Sequence, residues 1–537
     1  MSVMDRPRSP QARRVRSTFA LIIVALAGCT AQGTRSSAGN VAGSDGPADQ
    51  GVRAPIPQGD VSLGREVFRF DTFGNEGFWT DAARLPAGMA EQKVTPLQAL
   101  QLGVMIDVDA IDPAMRQTLV AQLGEDPSGT RSAILNDPAV TAQLVKANAV
   151  IGLPAKGAKI GVSCAFCHTI TDASVFEYPN GGSIGHRLDG RSNHNLDLGK
   201  IFATAANSRA LYPMLQVSLA ANKNKSLGRA PTGLTERSSE AEVDAYLSNP
   251  AYYPVGTFDD TYDGNGNPVH LMPLFRQDLS APYGSGGTIF KLENFSNLAY
   301  TSLMEPTTIT TPAGRAFLHL LAGAAGDELA DNYVKVLAAT GVTGYPYVQA
   351  APHPGPVGNE DAPLGVRVDE TKLRALNSYM IALPAPAGAQ VASDVIARGR
   401  QTFRTAGCTS CHNVSQGRAV PATIHAMAEV FPGDSPTILA QRTPPLSPIM
   451  NTDSSTIDDK AIVVNASVRG EKRGLAMPLL LDLARKPVFL HDNSVPSMND
   501  LLDPRRGPRA AHPFYLTDTR QRADVVEYLR SLDTNSH

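Results

Sequence analysis

Two short stretches have residue types and spacing that could do chemistry: Cys164-Ala-Phe-Cys167-His168 and Cys408-Thr-Ser-Cys411-His412. Two thiols separated by two residues match the span between the vinyl groups of a haem, and the next histidine reaches the iron as an axial ligand. A single copy would fit chance or half of a zinc site. Two copies that use four of the chain's five cysteines imply two covalently bound haem c groups. Cys164, Cys167, Cys408 and Cys411 would carry the thioethers, and His168 and His412 would be the proximal ligands.

The fifth cysteine suggests an address. Arg6, Arg8, Arg13, Arg14 and Arg16 precede an apolar run from Phe19 to Ala27. That run is too short for a stable span and reads as a secretory signal. It ends in Leu26-Ala27-Gly28-Cys29, which looks like a bacterial lipobox, so residues 1–28 are expected to be removed and Cys29 lipidated. Thr30 after it favours the outer membrane, and no later segment is apolar enough to cross a bilayer. The expected location is therefore the periplasmic side, anchored by lipid without spanning. Covalent haem attachment agrees with export.

These residues need elements to position them. Residues 29–60 are small, polar and Pro/Gly-rich and read as a flexible tether. A helical stretch begins at Gly64-Arg-Glu-Val-Phe68, an aromatic run with Phe70, Phe73, Phe78 and Trp79 reads as core, and helical periodicity covers 96–150. Residues 61–154 are therefore expected to form an N-terminal helical cap. A first haem domain is expected over 155–385, mostly loops between 222 and 290, and a second over 394–537. The second opens with an amphipathic helix from Ile396 to Phe403 and closes with one in which Val525, Leu529 and Leu532 share a face, capped by Thr517 or Asp518. The fold class is mainly α: two cytochrome c-like haem domains with long loops plus the cap. A net charge of -3 gives no sign of a nucleic-acid partner.

Around both motifs the chain resembles the bacterial di-haem cytochrome c peroxidase and MauG superfamily, roughly over 155–320 and 394–535. Gly161-Val-Ser-Cys-Ala-Phe-Cys-His168 is similar to the family's first haem segment, and Ser183-Ile-Gly-His186 with Gly190-Arg-Ser-Asn193 to its following loop. The resemblance implies that His186 ligates the resting first haem and swings away on activation; His194 is its nearest competitor. Two positions depart from the family. Ser285 occupies the slot of the inter-haem tryptophan, and Thr308, in Met304-Glu-Pro306-Thr-Thr308, stands where the catalytic glutamate would be. Glu305 and Glu293 are the nearby carboxylates that could substitute as acid/base. In the second domain, Phe489-Leu-His491-Asp492-Asn493 resembles a family turn. The sixth ligand there is expected from the loop before the closing helix, where His512 lies; related di-haem rubber oxygenases have bis-histidine ligation at this haem. His491, Met498 and Met477 stay open as alternatives. The resemblance also brings a Ca2+ ion as a candidate cofactor.

The reading that follows is a lipid-anchored periplasmic di-haem oxidoreductase, peroxidase- or oxygenase-like, with a reactive haem at His168 and a relay haem at His412. Its substrate would be peroxide, oxygen or an organic electron donor, and its partner a periplasmic electron donor or acceptor protein. The alternative is a non-catalytic di-haem electron carrier for a periplasmic dehydrogenase.

Overall fold

Helix starts are written locally in this chain. Thr95, Asp112 and Asp137 each precede a proline, and each caps a helix with that proline at its first turn: Pro96–Gln101, Pro113–Glu125 and Pro138–Lys146. The cap side chain accepts from free backbone N–H groups while proline costs no donor there. Ser239 and Glu242 form a capping box on Glu240–Leu247, a helix within the stretch expected to be mostly loop. Asp518, not Thr517, caps the closing helix Thr519–Arg530.

The computed structural model describes residues 56, 58–224, 229–259, 264, 266, 268–280, 283, 289, 291–351, 365–414, 424–425, 475–476, 478–490, 492–507 and 512–535. Cys29, Ser285, His491 and Met477 lie outside these residues. The fold is mainly α, as the sequence implies, and among the described residues the strands have two or three residues each. Ser183–Gly185 sits between Ile106–Asp107, parallel, and Phe176–Glu177, antiparallel. Thr169–Thr171, directly after the first motif, pairs antiparallel with Arg187–Asp189.

Two helix pairs organise the molecule, and they are built alike. Ser393–Thr405 packs on Thr519–Arg530, and an added Cβ at Gly399 would lie 2.2 Å from the Asp524 carbonyl oxygen. Glycine is required because the two backbones touch. Phe403 then meets Tyr528 edge-on at 6.0 Å. The other pair is Val61–Phe70 on Glu370–Ala382, where a Cβ at Gly64 would lie 1.9 Å from the Ala375 carbonyl oxygen. Phe68 meets Tyr379 edge-on at 5.5 Å. A glycine and a phenylalanine four residues on, facing a tyrosine, thus recur. Val61–Phe70 lies in the stretch expected to be an N-terminal cap and packs on a helix of the expected first haem domain. Each motif with its helix pair is termed a unit, the first around Cys164 and the second around Cys408. Glu370–Ala382 closes the first unit, and residues 71–163 stand between Val61–Phe70 and the motif where the second unit has only 406–407. Within this insertion Phe78 and Trp79 are core, as their density implied.

The two units also meet each other. Arg229 and Asp492 form an ion pair with both side chains buried. Asn493 donates to the carbonyls of Val255 at 3.1 Å and Gly256 at 3.2 Å. Phe275 and Leu279 share an apolar cluster with Leu481.

Candidate metal centres

At the first motif, Ala165–His168 is a single helical turn that presents Cys164, Cys167 and His168 together. Burial pushes the Cys164 thiol up to about 11 and the Cys167 thiol up to about 12, so both are neutral, and neither is in a disulfide. The His168 Nδ1 lies 2.7 Å from the Met272 carbonyl oxygen. A carbonyl only accepts, so Nδ1 carries the proton and Nε2 is left with its lone pair. Burial lowers the His168 pKa to about 4, which keeps the ring neutral. Two thiols and an oriented neutral imidazole are the donor set that covalent haem attachment needs.

The surroundings of this motif are tied down from several sides. Asp189 accepts from Thr169 at 2.9 Å, Arg69 at 2.6 Å and Tyr379 at 2.7 Å, joining the motif's far edge to both helices of the first pair. Ser163 donates to the Arg69 carbonyl at 2.8 Å on the near edge. Tyr300 lies in a π-helical turn, Ala299–Leu303, a feature concentrated at functional sites. Its hydroxyl is 3.3 Å from the Cys164 sulfur. Met272, Asp189 and Tyr300 were not singled out by the sequence. Met272 acts through its backbone, which has no side-chain signature, and the other two act through partners distant in sequence.

His186 sits elsewhere. The Thr169–Asp189 and Thr171–Arg187 pairing puts it opposite Asp172, beyond the end of the ladder that is farther in sequence from His168. Its side chain is 56% exposed, with Nδ1 2.9 Å from Asp109. The Asp109 hydrogen bond and charge raise its pKa, favouring an imidazolium that has no lone pair for a metal. A ligand role would require that ion pair to open. His194 lies closer: the amide of Asn193 donates to the Cys167 carbonyl at 3.0 Å, and the buried His194 Nδ1 has no partner among the described residues.

Glu305 is fully buried and caps Pro306–Thr310 by accepting from Thr307 N–H at 3.0 Å. Burial lifts its pKa to about 7, against the pull of the Thr307 hydroxyl and nearby backbone amides. Trp79 donates to the adjoining Met304 carbonyl at 3.0 Å. Thr308, also buried, gives its hydroxyl to the Thr301 carbonyl and thus has a structural use. Glu293 is half-buried in the first turn of Leu292–Leu298.

At the second motif, Cys408 and Cys411 are both partly exposed, and burial raises the Cys408 pKa. The His412 and His512 rings are 6.1 Å apart, centre to centre, at 44°. Two imidazoles across one metal, each bonded at about 2.0 Å through a nitrogen about 1.1 Å from its ring centre, have centres roughly 6 Å apart. The observed ring spacing equals that distance. Burial and the neighbouring His412 lower the His512 pKa to about 3, so that ring is neutral. His512 adopts a left-handed φ of 53°, which costs a non-glycine residue about 1–3 kcal/mol and is held here by packing. Phe514 meets its ring edge-on at 5.4 Å. Met498 is buried in the apolar core with Phe403, Val495 and Leu529. Among the described residues no cluster of three or more His, Cys, Asp or Glu side chains could hold a metal ion, so the Ca2+ expectation finds no site there.

No family model matches the chain, and no curated protein matches it. Among solved structures, one chain of Kuenenia stuttgartiensis hydrazine synthase, in crystals pressurised with xenon, matches with 16% identity over 31% of this chain. The match spans 57% of that chain at a TM-score of 0.18, too low to carry an argument about fold or function. Among the described residues no helix is long and apolar enough to cross a membrane.

Proposed function

We propose that this chain is a di-haem c-type oxidoreductase with unequal centres: a reactive haem at His168 and a relay haem held between His412 and His512. One observation carries the reading. Two imidazole rings lie 6.1 Å apart at the second motif, whereas at the first His168 is oriented by Met272 and His186 is turned to Asp109. Haem iron with one open axial position supplies a place for peroxide or oxygen to be reduced, and with both filled it passes electrons. The chain's own residues do the remaining work. Met272 fixes the ring of His168, and the Asp189 network holds the flanking strands still. Glu305, with its pKa near 7, is poised to take or give a proton at neutral pH, the role left open by Thr308. The substrate class is peroxide, oxygen or an electron-rich organic molecule, with electrons exchanged through a periplasmic protein partner. Anchoring through a lipidated Cys29 completes the proposal.

The test is optical spectroscopy of the purified holoprotein in both redox states, with cyanide and peroxide added. One haem should bind cyanide while the other stays low-spin and unaffected. If neither haem binds an exogenous ligand in either state, the chain is an electron carrier and the catalytic reading fails.

A further inference from the structure

The loop after the first motif clasps it closely. Asn193 N–H donates to the Cys167 carbonyl at 3.0 Å. The Ser192 hydroxyl donates to the Leu271 carbonyl, one residue before the carbonyl that holds His168. Between these clasps and Asp189 stands Arg191. Its guanidinium is half-buried, yet it makes no hydrogen bond or ion pair with any described residue. This loop also faces the second unit: Gly190 lies against Phe275 and Leu383, and Phe275 packs with Leu481. Arg485 and Lys486 follow Leu481 in sequence. Burial and then the Arg485 charge disfavour the charge on Arg191, and burial and then Lys486 do the same to His194. Asp482 is the acid on this side; it pairs with Arg485 and its charge partly supports that of Arg191, so one carboxylate serves several cations. A half-buried cation beside further cations, with no hydrogen-bonding anion of its own, is costly unless a further anion shares the site.

We propose that Arg191, with the half-buried His194 three residues on, is the seat for the propionate carboxylates of the haem attached at Cys164 and Cys167. This rests on the di-haem reading above. Arg191 is then a positioning residue: its charge keeps the propionates ionised and, being positive, favours the ferrous over the ferric state. Because the seat lies where the two units meet, it also sets the electrostatic environment between the two centres.

The test uses the holoprotein and the variants R191Q and R191K. Midpoint potentials of both haems are measured by spectroelectrochemistry from about pH 5 to about pH 8, and haem content by the pyridine haemochrome. The wild-type first-haem midpoint should be nearly flat with pH. R191Q should shift it downward and make it pH-dependent as a propionate takes up a proton, R191K should restore the flat profile, and the second-haem midpoint should not move. Two haems in R191Q with a wild-type midpoint and pH profile would overturn the seat. Fewer than two haems in the wild type would overturn the di-haem reading instead. If R191Q does not accumulate, titrating inorganic phosphate into the wild type decides: an unmoved midpoint is expected, and a phosphate-dependent one means that the seat takes an anion from solution and the proposal is wrong.

Discussion

At Glu305 the sequence shows only a charged residue before a proline, and the structure turns it into a buried acid. Tyr333 and Tyr347 are the titratable neighbours whose own ionisation it disfavours. Because burial raises its pKa from 4.5 to about 7, the folded chain binds this proton more tightly than the unfolded one. The resulting stability is fully present below about pH 4.5 and is lost as pH rises to about 7, a span worth roughly 3 kcal/mol. Glu305→Gln should therefore stabilise the protein above neutrality and remove that part of the slope. Thermal unfolding of both forms at acid and alkaline pH measures it; parallel pH profiles would show that Glu305 does not titrate in this range. His512→Ala belongs to the same scale. Loss of the second imidazole should leave the relay haem high-spin with a raised midpoint, since imidazole favours ferric iron, and the first haem spectrally unchanged. A variant that stays low-spin at the wild-type midpoint would pass the ligand role to His491 or Met498.

Elements show which parts of this protein are legible in its sequence. The Asp-Pro helix starts, the two motifs and the buried face of Thr519–Arg530 all follow from signals within a few residues of the feature. Val61–Phe70 was legible as a helix but not as half of a pair, because its neighbours lie far away: Gly59 N–H donates to the Ser378 hydroxyl 319 positions on. The Gly64 to Phe68 spacing gains meaning only beside Gly399 to Phe403, once both are seen touching a tyrosine. The same holds for His186, whose motif context suggested a ligand while its ladder register carries it to the surface beside Asp109. Gly399→Ala separates local from tertiary effects. Alanine is the better helix former by about 1 kcal/mol, yet its Cβ would meet the Asp524 carbonyl oxygen at 2.2 Å. Net destabilisation of about 1–3 kcal/mol is expected from the forced separation. Denaturant titration of the holoprotein reads it directly, and an unchanged midpoint would mean that the helices do not approach as described.

For the whole molecule, the buried Arg229–Asp492 pair is the ionic link between the two units, beside the Asn493 hydrogen bonds. Arg229→Met leaves Asp492 buried without its counter-charge, a loss of about 3–5 kcal/mol. Calorimetry of the variant should resolve two unfolding transitions in place of one if this pair couples the units. A single transition with unchanged midpoint would assign the coupling to the Phe275–Leu481 cluster.

The paired helices of the first unit have a further consequence, in the order in which the protein can be made. A chain emerges N-terminus first, so Val61–Phe70 is present long before Glu370–Ala382 arrives to cover Gly64. Throughout that interval Asp189 lacks the Tyr379 hydroxyl that braces it beside the motif, and the apolar cluster around Cys164 lacks Leu376 and Met380. The surroundings of the first motif are therefore completed last by a helix far downstream, Glu370–Ala382, after the insertion at 71–163 has been made.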